Sequence, residues 1–131
     1  MTQRIRPFLM FEGRAEEAMR FYVSLFQDAE ILDIERWKAG ETGVEGAFKL
    51  GRCVVGGQTL VCFDSPMPHA FTFTPSISLY VDCTSEEDIR KVTAALADGG
   101  KELMPLSNYG FGRLFAWVAD RFGVSWQLIL P

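Results

Sequence analysis

Few residues in this chain of 131 can do chemistry, and their types narrow what chemistry that is. The one histidine, His69, lies in PMPHAFTFTP, where an imidazole titrating near neutrality can serve as a base or ligand, also toward the site of a second copy. A hydrogen-bonded loop histidine is the plainer alternative. The three cysteines, Cys53, Cys62 and Cys83, lack CxxC spacing and lie in or beside apolar runs, the pattern of buried free thiols. Cys62 falls on a strand face expected to line a ligand site, but a nucleophilic thiol needs a cation or helix N-terminus nearby, and no basic residue adjoins it in sequence. Asp64 ends the same run and reads as the cap of a turn before Pro66, or as a base if partly buried. Gln127, in the ending SWQLIL, carries a neutral amide that both donates and accepts hydrogen bonds, suited to an uncharged polar ligand. Ser76, Ser78 and Tyr80 are its expected polar neighbours. Trp117 and Phe115 add flat apolar surface, or simply complete the core. The loop NYGFGR, with Tyr109 and Phe111, has the glycines of a mobile lid over a planar ligand.

Periodicity supplies the elements that must position these groups. An apolar run at 5–11 precedes helical spacing over 15–27, with Ala15, Ala18, Met19, Tyr22, Val23 and Phe26 on one face. Strands follow at 29–37, 46–55 and 58–64, the last two joined by a tight Gly56-Gly57 turn. The order then restarts: a strand at 76–82, a helix opening at Ser85 and stopped by Gly99-Gly100, and strands at 101–108, 113–119 and 124–130. Both helix openings, EGRAEEAM and DCTSEEDI, place paired glutamates in the first turn, where the helix dipole favours negative charge, and Ser85 with Asp88 fits a capping box. An offset of about seventy residues between them marks a duplicated β-α-β-β-β unit. The chain is therefore expected to be one domain, 1–131, of modules 1–66 and 74–131 joined by a proline-rich linker at 65–75.

Alternation divides each strand into two faces. Trp126, Leu128 and Leu130, with Ile77, Leu79 and Val81, form an apolar set that should pack on a helix. Ser125, Gln127 and Ile129, with Ser76, Ser78 and Tyr80, are left for the concave side. The corresponding first-half rows are Pro7, Leu9 and Phe11 with Leu60, Cys62 and Asp64.

Composition sets the outer limits. An apolar fraction of 48%, 23% charged residues and eleven phenylalanines describe a globular chain with ample surface to bury. A net charge of -4 with interleaved signs gives no basic stripe for nucleic acid or anionic lipid. No apolar run approaches a membrane span, and MTQRIRPF lacks a signal-peptide core, so a cytoplasmic location is expected.

Three segments carry a family resemblance: PFLMFEGRAEEAMRFYVSLF, PHAFTFTPSISLYVDC and FAWVADRFGVSWQLILP. With the duplicated β-α-β-β-β order, they resemble the vicinal-oxygen-chelate superfamily of glyoxalases, extradiol dioxygenases and bleomycin-resistance proteins, and within it the PhnB-like subgroup labelled 3-demethylubiquinone-9 3-methyltransferase-like. The resemblance implies an α+β fold of two modules whose curved mixed sheets enclose a cleft, and a homodimer. It also implies metal-ligand positions, which here hold Pro7, Cys62, Ser76 and Gln127. Only Gln127 is a ligand type that superfamily uses, and a catalytic divalent centre needs about three imidazole, carboxylate or thiolate donors. The expected function is therefore small-molecule binding without metal or other cofactor. A metal-dependent lyase, isomerase or dioxygenase, with Gln127 joined by His69 or Asp64 from a partner copy, is the alternative. Methyl transfer lacks the glycine-rich strand-to-helix turn that admits S-adenosylmethionine.

Overall fold

The alternating and helical segments become eight strands and two helices: β1 (Phe8–Phe11), α1 (Ala15–Leu25), β2 (Glu30–Arg36), β3 (Phe48–Val55), β4 (Gln58–Asp64), β5 (Leu79–Asp82), α2 (Glu86–Ala97), β6 (Lys101–Ser107), β7 (Leu114–Ala119) and β8 (Ser125–Leu130). They belong to a computed structural model that describes residues 2–131. The chain divides into two units, Met1–His69 and Ala70–Pro131, so the division falls inside the proline-rich stretch.

Each unit is a β-α-β-β-β module with a four-stranded mixed sheet, ordered β1-β4-β3-β2 in the first and β5-β8-β7-β6 in the second. In each, the first and last strands pair in parallel and the other pairs are antiparallel. The Gly56-Gly57 turn links β3 to β4 with both residues at positive φ, the backbone that a two-residue hairpin of this hand requires.

In the N-terminal unit α1 lies on β3, β4 and β2. Ala15, Ala18, Met19 and Tyr22 form its buried stripe, and Gly51 lets Met19 reach the sheet. A Cβ at Gly51 would stand 2.8 Å from both Met19 Cε and Phe48 Cζ. In the C-terminal unit α2 covers β7, β8 and β6 with Ile89, Val92, Thr93 and Leu96. Fully buried side chains such as Leu60, Ile89, Leu96 and Leu128 each contribute about 1.5–3 kcal/mol of transfer free energy.

The helix ends separate the two modules. Ser85 caps α2 from its own sequence, its Oγ accepting from Asp88 N at 3.0 Å, as the capping-box spacing predicts. At α1 the N-cap residue Arg14 offers no side-chain cap. Asp64, at the end of β4, takes that role, its Oδ1 accepting from Gly13 N at 3.0 Å and Ala15 N at 2.9 Å.

Several expectations are corrected. The first strand begins at Phe8, not residue 5. The helix ends at Leu25, because Phe26 is extended at φ -116, ψ 152. The strand expected from 76 starts at Leu79: Thr74 Oγ1 and Ser76 Oγ bond at 2.8 Å across a turn at Pro75, leaving Ile77 77% exposed instead of packed on a helix. The faces of the N-terminal sheet are the reverse of those read from alternation. Leu9, Phe11, Leu60, Cys62 and Asp64 are buried on the α1 side. Phe8 and Phe63 occupy the other face, with ring centroids 5.8 Å apart, and Trp37 meets Phe63 edge-on at 6.2 Å. A run apolar at every position, FLMF, contains no parity signal, and Asp64 is polar yet turned inward to cap α1. The face assignment for β8 and Leu79–Asp82 of the C-terminal sheet agrees with the structure.

Candidate functional site

In the C-terminal unit, strand pairing brings together residues that sequence order scatters. Along the β7–β8 hairpin Phe115 faces Ile129, Trp117 faces Gln127 and Ala119 faces Ser125. On the other flank of β8, Tyr80 lies beside Gln127 and Asp82 beside Ile129. All of these share the face away from α2, because their neighbours Ala116, Val118, Trp126 and Leu128 are the residues buried against it. The hairpin is tied at its tip by DRFGVSW. Asp120 N donates to Val124 O at 2.9 Å, Gly123 N to Asp120 O at 2.9 Å, and the Asp120 carboxylate accepts from Phe122 N, Val124 N and Trp126 Nε1 at 2.8, 3.0 and 2.9 Å.

A continuous neutral hydrogen-bonded chain crosses the face. Trp117 Nε1 donates to Ser125 Oγ at 2.9 Å, Ser125 Oγ and Ser78 Oγ are 2.7 Å apart, and Gln127 Nε2 donates to Ser78 Oγ at 3.3 Å. Trp117, Ser78 and Gln127 are half-buried and Tyr80 is exposed. One side of the face is bounded by the NYGFGR loop, where three rings cluster. Tyr109 and Phe111 stack at 5.9 Å with 16° between planes, and Phe111 meets Phe115 at 4.7 Å and 73°. Gly112, at φ +93, lets the loop lie on β8, since a Cβ there would come within 2.9 Å of Leu130 O. Arg113 N donates to Leu130 O at 2.8 Å and Tyr109 Oη donates to Pro105 O, fixing both ends of the loop, while Phe111 between them is 48% exposed.

Of the residues singled out from sequence, Gln127, Ser78, Tyr80 and Trp117 stand together, with Tyr109 and Phe111 at the margin through Phe115. Ser76 does not join them; it lies in the exposed turn before β5. Cys62 and His69 belong to the N-terminal unit. Cys62 is fully buried beneath α1, and the neighbouring Cys53 thiol together with burial holds its thiol well above the ordinary range, which disfavours the thiolate a nucleophile needs. Burial and the nearby Asp88 push Cys83 up to about 12. His69 Nε2 lies 2.8 Å from Ser65 Oγ, four residues away. Burial raises the Asp64 carboxyl above its ordinary value, against the lowering effect of the α1 amides. Ser125 was readable only as one polar residue in an alternating strand, and Asp120 gave no sign of its part in holding the hairpin.

The donor set does not suit a divalent ion. Pro7 has no donor side chain, Cys62 is committed to the core and Ser76 to a turn, which leaves Gln127 alone among the positions where the resemblance places ligands. Among the described residues no group of three or more His, Cys, Asp or Glu side chains could hold a metal. Also among them, no helix is long and apolar enough to cross a membrane.

Comparison with known proteins follows this architecture. The family described as 3-demethylubiquinone-9 3-methyltransferase matches residues 3–129. A PhnB protein from Bacillus cereus is 50% identical, with 98% of this chain and 100% of that one covered and a TM-score of 0.93. Protein PA1353 from Pseudomonas aeruginosa is 24% identical over 98% of both chains, with a TM-score of 0.84. A glyoxylase/bleomycin resistance protein/dioxygenase domain from Frankia sp. EAN1pec shares the fold at 17% identity, with a TM-score of 0.70 over 99% of this chain and 92% of that one. No curated protein matches the chain. The chain belongs to the 3-demethylubiquinone-9 3-methyltransferase family, with a PhnB protein among its relatives, and shares its fold with the glyoxylase/bleomycin resistance protein/dioxygenase domain.

Proposed function

We propose that this protein binds a small organic molecule on the open face of its C-terminal sheet, by shape and hydrogen bonding and without a metal. The observation that carries this reading is the half-buried chain through Trp117, Ser125, Ser78 and Gln127. Polar side chains interrupt an otherwise apolar sheet there and are flanked by exposed rings, the mixture that small-molecule sites use for orientation and contact area. Methyl transfer has no comparable support. The glycine pair forms the β3–β4 hairpin, and the β1-to-α1 connection holds one glycine, Gly13, where a cofactor turn of the usual type has several.

Titration of nitrogen-15-labelled protein with a library of uncharged aromatic and heteroaromatic compounds tests the proposal. Binding ligands are expected to move the Trp117 indole and Gln127 side-chain signals together, with smaller changes along β5, β7 and β8. A broad library that moves neither signal, or moves only residues elsewhere, refutes it.

A further inference from the structure

We infer that the ligand of this site is an uncharged planar molecule presenting a carbonyl and an N–H side by side, a lactam or cyclic amide. The inference rests on the binding role proposed above and follows from counting protons in the Trp117–Ser125–Ser78–Gln127 chain.

Each serine hydroxyl has one hydrogen to donate and two lone pairs to accept with. Ser125 Oγ accepts the Trp117 indole N–H, and Ser78 Oγ accepts a Gln127 amide N–H. The two oxygens share one further bond, at 2.7 Å, which uses the hydrogen of one serine only. The other hydrogen has no partner among the described residues, and burial decides whose it is. Ser125 is 2% exposed, so an uncommitted proton there would be a stranded buried donor. Ser125 therefore donates to Ser78. Ser78 Oγ is then saturated as an acceptor and turns its own hydrogen outward from a half-buried position.

Beside that donor stands the Gln127 carboxamide. Its Nε2 is engaged with Ser78, and its Oε1 has no partner among the described residues. The site thus offers one O–H donor and one neighbouring carbonyl acceptor. The Trp117 indole N–H is already used, so that ring contributes only its flat surface. Charge agrees with this polarity. β5, β7 and β8 contain no Lys or Arg, and their one charged residue, Asp82, is a carboxylate on the same face. An anion would meet no cation on these strands and one like charge.

Three fused-ring probes of similar size separate the possibilities: isoquinolinone, with adjacent carbonyl and N–H; isocoumarin, in which oxygen replaces the N–H; and naphthoate, an anion. In the labelled-protein titration isoquinolinone is expected to bind about tenfold tighter than isocoumarin, the loss of one paired hydrogen bond, and naphthoate weakest. Ser78→Ala should weaken isoquinolinone and isocoumarin alike, whereas Gln127→Leu should weaken isoquinolinone alone. Isocoumarin binding as tightly as isoquinolinone, or naphthoate binding tighter, with the Trp117 and Gln127 signals still responding, overturns the lactam assignment and leaves the binding role standing. No response to any of the three, when other compounds of the library do respond at this face, also overturns the assignment alone. No response to any compound removes the binding role as well. The wild-type probe series decides the matter even if a variant fails to fold.

Discussion

Replacing Asp120 by asparagine tests how the β7–β8 hairpin, and so the Trp117–Gln127 register, is held. The carboxylate is 3% exposed and accepts from two backbone amides through Oδ1 and from the Trp126 indole through Oδ2. Asparagine has one oxygen. Turned to keep Phe122 N and Val124 N, it sets its NH2 against the Trp126 N–H, two donors at a spacing of 2.9 Å with the indole 2% exposed. Turned the other way, it strands both backbone amides. The first arrangement is the cheaper, and the orphaned buried indole together with the lost charge assistance amounts to roughly 2–4 kcal/mol of stability. Urea unfolding followed by far-UV circular dichroism reads this as a lower midpoint at unchanged slope. Combining Asp120→Asn with Trp126→Phe removes the offending N–H, so in the phenylalanine background the asparagine penalty should fall to about 1 kcal/mol or less. An Asp120→Asn protein within about 0.5 kcal/mol of wild type would show that the carboxylate is not what holds the turn, and strictly additive single and double variants would show that the orphaned indole is not the source of the penalty.

Thr93, on the buried face of α2, leaves its hydroxyl without a partner among the described residues, so Thr93→Val should raise stability by about 1 kcal/mol, and a loss of that size in urea unfolding would show the hydroxyl to be bonded. Asp64→Ala removes the acceptor for Gly13 N and Ala15 N and should cost about 1–2 kcal/mol, with faster amide exchange in the first turn of α1 and none of that acceleration in α2. Gly112→Ala forces a Cβ against Leu130 O at a positive φ, so it should cost about 1 kcal/mol or more and speed exchange of the Arg113 amide; unchanged exchange would refute the close approach of loop and strand.

The fold was legible because its repeat shows in helix openings, glycine turns and strand spacing. The site was legible in part, where alternation is clean. SWQLIL sets Ser and Gln between large apolar residues, so its open face can be read before its partners are known, and Ser78 and Tyr80 follow by the same parity. PFLMF is apolar throughout, and QTLVCFD hides an inward-facing carboxylate in its polar row. There the faces came out reversed: Cys62 packs beneath α1, and Phe8 and Phe63 take the other face. Ser76 failed for a local reason: alternation in SISLY reads as strand, but the Thr74–Ser76 side-chain bond holds a turn. Ser125 and Asp120 act through bonds to indole nitrogens at 117 and 126, and such partners emerge only once register and rotamers are set.

The source of each helix cap bears on the order in which the chain organises itself. α2 carries its own initiator, Ser85, three residues from the amide it satisfies, so this helix can start as soon as its first turn exists. α1 has none, and waits for an aspartate that arrives 49 residues later at the end of the returning strand. The α1 cap can therefore close only once β4 has returned beside β1, whereas the α2 cap needs nothing beyond its own first turn.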